Sequence, residues 1–348
     1  DVEPTIILLS RDEKLAYVTT KNPHRVRIYN TSDFRSPKQI SSVDLGRIQR
    51  ERMFLGLSPD ETMLCASDNQ DVKLINISDP KSPQLIGTYK MKTYPTNYLF
   101  VSIAFSQDNK YLFIAEVGFK ILDISNPQEI TEVHSQGGTS EGILNTIYAS
   151  HDRQLVYLAD GEGTLKIFNV SNPRDPKTLS TVRFNDSTVS SVFLSKDNKL
   201  AYVVGLFPPI LAGSENKIAV NILNIEDPSN VKKIFRFEVS TSRSSAPVIQ
   251  ALSPKETKLY IIHGQLITID LVAMNVEDHS NNLIKASNLI SIAFTSDSRY
   301  AGVAYWEQIV FLELFTDYPN SHIFTPSNST LARFRTDQRL DSWSVSQD

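Results

Sequence analysis

The sequence predicts an all-β fold, a single seven-bladed β-propeller with four antiparallel strands in each blade. Three observations predict it. A unit of about 45 residues recurs seven times along the 348-residue chain, each unit consists of short apolar strands separated by turn residues, and helical periodicity is absent. Units of this length that hold four short strands are typical of propeller blades.

Each unit begins with two apolar strands, A and B, joined by a Ser-x-Asp turn. Ser and Asp side chains can hydrogen-bond the backbone of a tight turn, so this element is predicted to be the A–B hairpin. The turn Ser, replaced by Thr in the last unit, recurs at Ser10, Ser58, Ser106, Ser150, Ser195, Ser253 and Thr295. Successive intervals are 48, 48, 44, 45, 58 and 42 residues, so only the fifth is long.

A third strand, C, a proline-marked turn and a weaker fourth strand, D, complete the unit. In the second unit strand C covers 72–76, and Asp79-Pro80 then ends it because proline has no N–H for the ladder. In the sixth and seventh units strand C and the turn after it depart from this pattern. Residues 1–315 are therefore predicted to form the propeller, whose last blade extends to about residue 335, and 316–348 its outer strand followed by an irregular C-terminal tail.

Strand C and its turn resemble the LVIVD repeat family, most closely in the second to fourth units. The resemblance rests on 74–77 and 121–124, which are followed by Ser-Asp-Pro and Ser-Asn-Pro. It implies a propeller with a non-enzymatic interaction role, and it supplies no catalytic residues or cofactor. The family occurs largely in bacterial and archaeal surface or exported proteins, which slightly favours an extracytoplasmic or cell-surface location. The residues themselves leave compartment and oligomeric state open.

Composition argues against two classes of partner. The formal net charge of −4 and the pI near 5.9 give no long-range attraction for phosphate backbones, so nucleic acid is not expected. No apolar run is long enough to cross a bilayer, so direct membrane insertion is not expected either. The single cysteine, Cys65, lies in an apolar stretch and is predicted to be buried.

Chain direction predicts where a partner would bind. In every unit the A–B and C–D turns leave one end of the sheet, and the B–C and D–A loops leave the other. The first end carries near-identical turns, whereas the loops of the second end differ, which is typical of binding loops on a rigid scaffold. A protein partner is therefore expected to contact the second end.

The candidate contact residues are an apolar insertion, aromatic side chains and an arginine. The long interval comes from a B–C insertion at 204–217 that is apolar and predicted to be exposed. The alternative is that this insertion folds onto its own blade and that the loop residues are simply solvated. The predicted contact residues are Phe207, Pro208, Ile210, Leu211, Tyr94, Tyr98, Arg50 and Trp306.

Catalytic motifs are not found, so an enzyme is not expected and no cofactor is predicted. The six histidines are scattered, without the spacing of a helical or hairpin metal site. The alternative is a ligand- or metal-binding propeller, a lactonase-like hydrolase or a sensory ectodomain, with a site at the channel mouth. The side chains best placed for it are Glu116, Glu141, Asp160 and His263, for which solvated turn residues are the more ordinary interpretation.

Overall fold

The computed structural model describes the regular part of every repeat. The described residues are 3–21, 23–46, 53–67, 70–91, 102–116, 118–137, 144–150, 154–207, 216–241, 249–253, 256–262, 266–278, 289–296, 300–305, 308–313 and 332–335. Within these ranges all regular structure is β-strand, and the strands form seven four-stranded antiparallel sheets, one for each predicted unit.

The strands follow the chain in order, so A, B, C and D of each unit lie side by side. The first sheet contains β1 (Glu3–Leu9), β2 (Leu15–Lys21), β3 (Arg25–Asn30) and β4 (Lys38–Asp44), and the second β5 (Phe54–Leu57), β6 (Met63–Ser67), β7 (Asp71–Asn76) and β8 (Gln84–Lys90). The third contains β9 (Ser102–Phe105), β10 (Tyr111–Glu116), β11 (Gly118–Asp123) and β12 (Thr131–Gly137), and the fourth β13 (Leu144–Ala149), β14 (Leu155–Asp160), β15 (Thr164–Asn169) and β16 (Lys177–Arg183).

The later sheets depart more from the repeat. The fifth contains β17 (Ser191–Leu194), β18 (Leu200–Leu206), β19 (Asn216–Asn224) and β20 (Lys232–Thr241), and the sixth β21 (Ile249–Leu252), β22 (Lys258–Ile262), β23 (Leu266–Asp270) and β24 (Asn275–Asp278). The seventh contains β25 (Leu289–Phe294), β26 (Tyr300–Tyr305), β27 (Gln308–Glu313) and β28 (Ala332–Arg335). The insertion is shorter than predicted, because 204–206 and 216–217 lengthen the strands on either side of it.

The Ser-x-Asp turn is built from local hydrogen bonds, as its composition predicts. In the second sheet Ser58 Oγ donates to Asp60 Oδ1 at 2.7 Å and accepts from the Met63 N–H at 2.9 Å. Glu61 takes φ of 58°, which lets its N–H reach the Ser58 carbonyl at 2.9 Å. The first, third and fifth sheets repeat the Ser–Asp contact at 2.8, 2.6 and 2.6 Å. These side chains are therefore structural.

The C–D turn is bonded to the A–B turn of its own sheet. In the third sheet the Ile124 N–H donates to the Lys110 carbonyl at 2.8 Å, and Asn126 Oδ1 accepts from the Gln128 N–H at 3.2 Å. Equivalent backbone bonds from the residue after strand C occur in the first, fourth, fifth and sixth sheets. The two turns therefore share one end of each sheet, hereafter the turn end. The opposite end, with the B–C turns and D–A loops, is hereafter the loop end.

Burial follows the order of the strands. Strands B and C are covered on both faces, and in the second sheet Leu64 and Leu74 are fully buried. Strand D is mostly exposed, as β8 and β16 illustrate. Cys65 is buried in strand B as predicted, and burial raises the pKa of its thiol. The core therefore lies between neighbouring sheets, near strands B and C.

The chain divides into two compact units, of which one joins the chain ends. This unit contains Asp1–Leu55, Ile77–Leu85 and Ser244–Asp348. In it Ile7 and Val18 of the first sheet pack with Ala304 and Ile309 of the seventh. The Ile7 N–H also donates to Ser291 Oγ at 3.4 Å. No strand is exchanged between these two sheets within the described ranges, and side-chain packing, this hydrogen bond and one from the Ser296 N–H to Glu13 Oε1 join them.

The other unit contains Gly56–Asn76 and Ile86–Arg243. Phe119 of the third sheet stacks on Phe168 of the fourth with ring centroids 4.9 Å apart. The Ile147 N–H donates to Ser102 Oγ at 3.2 Å, which joins strand A of the fourth sheet to strand A of the third. The bond from Ile7 to Ser291 joins the first and seventh sheets at the equivalent position. The first and seventh sheets therefore pack in the way that two consecutive sheets do.

Candidate interaction site at the loop end of the fourth and fifth sheets

At the loop end of the fourth and fifth sheets, within the compact unit that contains Ile86–Arg243, three segments meet. They are the B–C turn 160–164, the D–A loop 184–190 and the start of the insertion at Phe207. This is the kind of surface on which the sequence predicts partner binding, and its hydrogen bonds show which side chains are held in place.

Asp160 holds the B–C turn together. Its Oδ1 accepts the N–H groups of Glu162 at 3.1 Å and Thr164 at 2.8 Å. Its carbonyl oxygen accepts the Gly163 N–H at 3.3 Å. An Asp side chain that caps its own turn has an architectural role, so the alternative of a metal ligand at Asp160 gains no support from this geometry.

Gly163 brings the D–A loop onto this turn. Its carbonyl accepts the Phe184 N–H at 2.7 Å, and its φ of +80° lies in the left-handed region. A Cβ at this position would lie under 3.0 Å from the carbonyl oxygens of Phe184 and Ser187. Glycine is therefore required twice, for its backbone conformation and for the close approach of the loop.

The D–A loop continues beside strand B of the fifth sheet. The Thr188 N–H donates to the Leu206 carbonyl at 2.9 Å, and the Ser190 N–H donates to the Val204 carbonyl at 2.8 Å. Gly205 lies between these contacts, and a Cβ on it would lie under 3.0 Å from the Thr188 carbonyl oxygen. The loop is thus fixed against the strand that leads into the insertion.

Arg236 of β20 connects the loop, the strand and the insertion. Its Nη1 and Nη2 donate to the two carboxylate oxygens of Asp186 at 3.2 and 2.8 Å, a bidentate pair. Its Nε lies 3.0 Å from Glu238 Oε1, and its guanidinium carbon lies 5.2 Å from the ring centroid of Phe207. The hydrogen bonds from Arg236 hold the pKa of the Asp186 carboxyl below its usual range.

Lys233 makes a parallel contact nearer the turn end. Its Nζ donates to the Arg183 carbonyl at 2.8 Å and lies 4.4 Å from the ring centroid of Phe184. The outer strand of the fifth sheet therefore contacts the end of the fourth through two cationic side chains, each placed over an aromatic ring.

Phe207 is half-buried, which corrects the prediction that the whole insertion is exposed. Its N–H donates to the Lys217 carbonyl at 3.0 Å, so the pairing with β19 continues one residue beyond the end of β18. Its ring lies against Arg236, because a cation over the face of an aromatic ring is favourable where water is partly excluded. Phe207 is thus the anchored base of the insertion.

Of the remaining predicted site residues, only Glu116 lies within the described ranges. Glu116 ends β10 as predicted, and only its backbone is described. Outside the described residues lie Pro208, Ile210, Leu211, Tyr94, Tyr98, Arg50, Trp306, Glu141 and His263. The sequence reasoning missed Asp186, Arg236 and Glu238. An alignment of the repeats could have found Arg236, because it is a charged residue at a position of strand D where the first four sheets have small hydroxyl residues. Those residues are Ser42, Thr88, Ser135 and Thr181.

The described part of the chain contains no group of three or more His, Cys, Asp or Glu side chains that could hold a metal ion. Among the same residues, no helix has the length and apolar character needed to cross a membrane.

Known proteins identify first the fold and then the repeat. The β-propeller domain of Cps50 (Swd1) from Myceliophteria thermophila matches with a TM-score of 0.61 over 87% of this chain and 93% of that one, at 10% identity. This likeness, with the four-stranded antiparallel sheets, confirms the predicted fold class: the chain is an all-β protein of the β-propeller class. Residues 102–136 and 154–183 match the LVIVD repeat, so the third and fourth units are LVIVD repeats. None of the curated proteins matches the chain.

Proposed function

We propose that the chain is a non-enzymatic protein-interaction propeller that recognises a protein partner through its loop end. The observation that carries the proposal is the contrast between the two ends of the sheets. The turn end repeats one set of turn hydrogen bonds from sheet to sheet. At the loop end the connections differ in length and sequence, and one of them holds an apolar insertion with an anchored base.

The contact surface in this proposal is the insertion, with Arg236 and Asp186 as positioning residues. Arg236 holds Phe207 from one side while Asp186 and Glu238 fix the guanidinium. A loop whose base is held in one conformation loses less entropy on binding than a free one, which strengthens binding without any new contact. The apolar residues Pro208, Ile210 and Leu211 then supply the buried area that drives association.

The experiment is a pull-down from native extract with three forms of the full chain. The wild type is compared with a variant whose residues 208–211 are replaced by Gly and Ser, which keeps Phe207 and Arg236 in place. The control replaces Lys81 and Arg174, two exposed residues of the turn end, by Ser. The proposal predicts that a protein recovered by the wild type and the control is absent from the insertion variant. Equal recovery by all three forms would show that the insertion is not the contact surface.

A further inference from the structure

One position in strand D holds a small or polar residue in most sheets, and the turn that packs on it explains why. Strand D of the first, third, fourth and fifth sheets contains a β-bulge, and the residue after it pairs with an Ile of strand C. At this position, hereafter position D4, the first four sheets have small or polar residues and the fifth has a large aromatic one. The residues are Ser41, Gly87, His134, Ser180 and Phe235.

A proline carbonyl of the next C–D turn covers position D4 in the first two sheets. Ser41 Oγ donates to the Pro80 carbonyl at 2.5 Å. At Gly87 a Cβ would lie under 3.0 Å from the Pro127 carbonyl oxygen, and Ile130 approaches from the same side. In these two sheets the proline turn therefore leaves little room for a large side chain at D4.

The fifth sheet breaks this rule and leaves an apolar pair in water. Phe235 at D4 is 42% exposed, and Ile234 at the bulge is 54% exposed, whereas the residues that precede D4 in the first four sheets are half-buried. Phe235 is held against Phe237, with ring centroids 4.8 Å apart. In sequence, the sixth unit has Leu-Val-Ala-Met at 271–274 where earlier units have the proline turn. An ordered, solvent-facing apolar pair of this kind marks a contact surface.

Basic side chains border this pair. The outer strands β16 and β20 together carry five basic residues and one acidic residue, in a chain of net charge −4. Within this set Lys177 pairs with Asp175, and Arg236 with Asp186 and Glu238. Lys232 and Lys233 directly precede the apolar pair in the chain, Lys233 reaches the Arg183 carbonyl, and all three residues are exposed. Lys232 and Lys233 also lie within electrostatic range of the Asp227 and Asp186 carboxylates.

The backbone of β20 adds a third element. β20 is the last strand of its sheet and the longest described strand, with ten residues. The outward N–H and C=O groups of such a strand can pair with an added extended segment, whose side chains then lie over the outer strand.

We propose that Ile234 and Phe235, with Arg183, Lys232 and Lys233, dock an extended acidic segment of a protein partner that carries at least one large apolar side chain. The apolar side chain covers the Ile–Phe pair and the carboxylates face the basic border. A nucleic acid would use the basic residues but leave Ile234 uncovered, so the apolar centre favours a protein segment. This surface is built from the outer strand, and the proposal does not depend on the proposed function of the loop end.

The test selects ligands for the full chain from random peptides of about 12 residues displayed on phage, with counter-selection on the double variant Ile234→Ser, Phe235→Ser. Both residues are exposed, so the variant should keep the far-UV circular dichroism and melting temperature of the wild type. Enriched peptides are then synthesised with a fluorescein label and titrated by fluorescence anisotropy. Peptides with at least two carboxylates and one large apolar side chain are expected.

Affinity for the double variant should fall about tenfold or more, as for a hot spot. Affinity for the wild type should fall several-fold between roughly 50 and 500 mM salt, because exposed charges are screened. The matched control is Leu85→Ser, an apolar residue on strand D of the second sheet that is 43% exposed, which should bind the peptides as the wild type does.

Four outcomes would overturn the proposal: no enriched peptide, enriched peptides without carboxylates, equal binding to wild type and double variant, or stronger competition by a single-stranded oligonucleotide than by the acidic peptides. Light scattering adds a fifth, since a dimer of the wild type that the double variant fails to form would make the occupant a second copy of this chain. Replacement of 208–211 should leave peptide binding intact, so failure of either proposal is seen separately.

Discussion

Gly163→Ala is expected to destabilise the chain more than Gly46→Ala or Gly137→Ala, for two separable reasons. The first is backbone conformation, because φ at Gly163 is +80° and an L-residue there is disfavoured by about 1 kcal/mol. The second is space, because a Cβ would lie under 3.0 Å from the Phe184 and Ser187 carbonyl oxygens. Moving a well-packed loop to relieve such an overlap costs about 1–3 kcal/mol, so the sum is roughly 2–4 kcal/mol.

Two other glycines separate these causes. Gly46 has φ of +71° but nothing within 4 Å of a Cβ, so Gly46→Ala should cost only the conformational part, about 1 kcal/mol. Gly137 ends β12 with nothing within 4 Å of a Cβ and no left-handed φ, so Gly137→Ala should stay within about 0.5 kcal/mol of the wild type.

Urea unfolding followed by circular dichroism measures all three variants in one experiment. The order of midpoints should be Gly137→Ala, then Gly46→Ala, then Gly163→Ala, from most to least stable. If Gly163→Ala unfolds at the same urea concentration as Gly46→Ala, the D–A loop does not pack closely on the B–C turn at Gly163, contrary to the structure.

Three further predictions concern single contacts. Asp186→Asn should cost no more than about 1 kcal/mol at pH 7, because the pair with Arg236 is half-exposed and screened. Since Arg236 lowers the pKa of the folded Asp186 carboxyl, this stabilisation is present above the pKa of the unfolded chain and is lost as pH falls through the pKa of the folded one. The urea midpoints of wild type and variant should therefore converge below about pH 4. A gap between the midpoints that stays constant with pH would contradict the ion pair. Ser291→Ala should lower stability by about 1 kcal/mol in urea, as should Ser102→Ala, because each removes the acceptor of a neighbouring sheet's N–H; a silent Ser291→Ala would show that the first and seventh sheets are not joined in this way. Cys65 should react with Ellman's reagent only in denaturant, since burial raises the pKa of its thiol, and rapid labelling of the native chain would contradict that burial.

The repeat also explains why the loop end can vary while the fold persists. The hydrogen bonds of the turn end join residues of the same sheet and recur in sheet after sheet. The core lies mainly between strands A, B and C of neighbouring sheets, and among the described loops 184–190 contributes Phe184 and Val189 to it. Loops that carry neither the turn bonds nor the core can change length at small cost in stability, which is where new contacts arise most readily.

Site residues were predictable only where their chemistry is local. Asp160 was singled out by its position at the end of strand B, which is correct, but its carboxylate caps its own turn. Phe207 was expected to be exposed with the rest of the insertion, and it lies instead against Arg236. No sequence pattern places these two side chains together, since the contact depends on the bulge in β20, which sets the face of the sheet on which Arg236 lies.

The sequence alone determined the strand order, the Ser-x-Asp and proline turns and the fold class. Each rests on interactions that close within a few residues, such as Ser58 with Asp60, or on a period that repeats along the chain. The tertiary structure decided the rest: the junction of Ile7 with Ser291, the pair of Asp186 with Arg236, and the exposure of Phe235. These depend on which sheets become neighbours and how closely their backbones approach, and such long-range distances are not encoded in any local pattern.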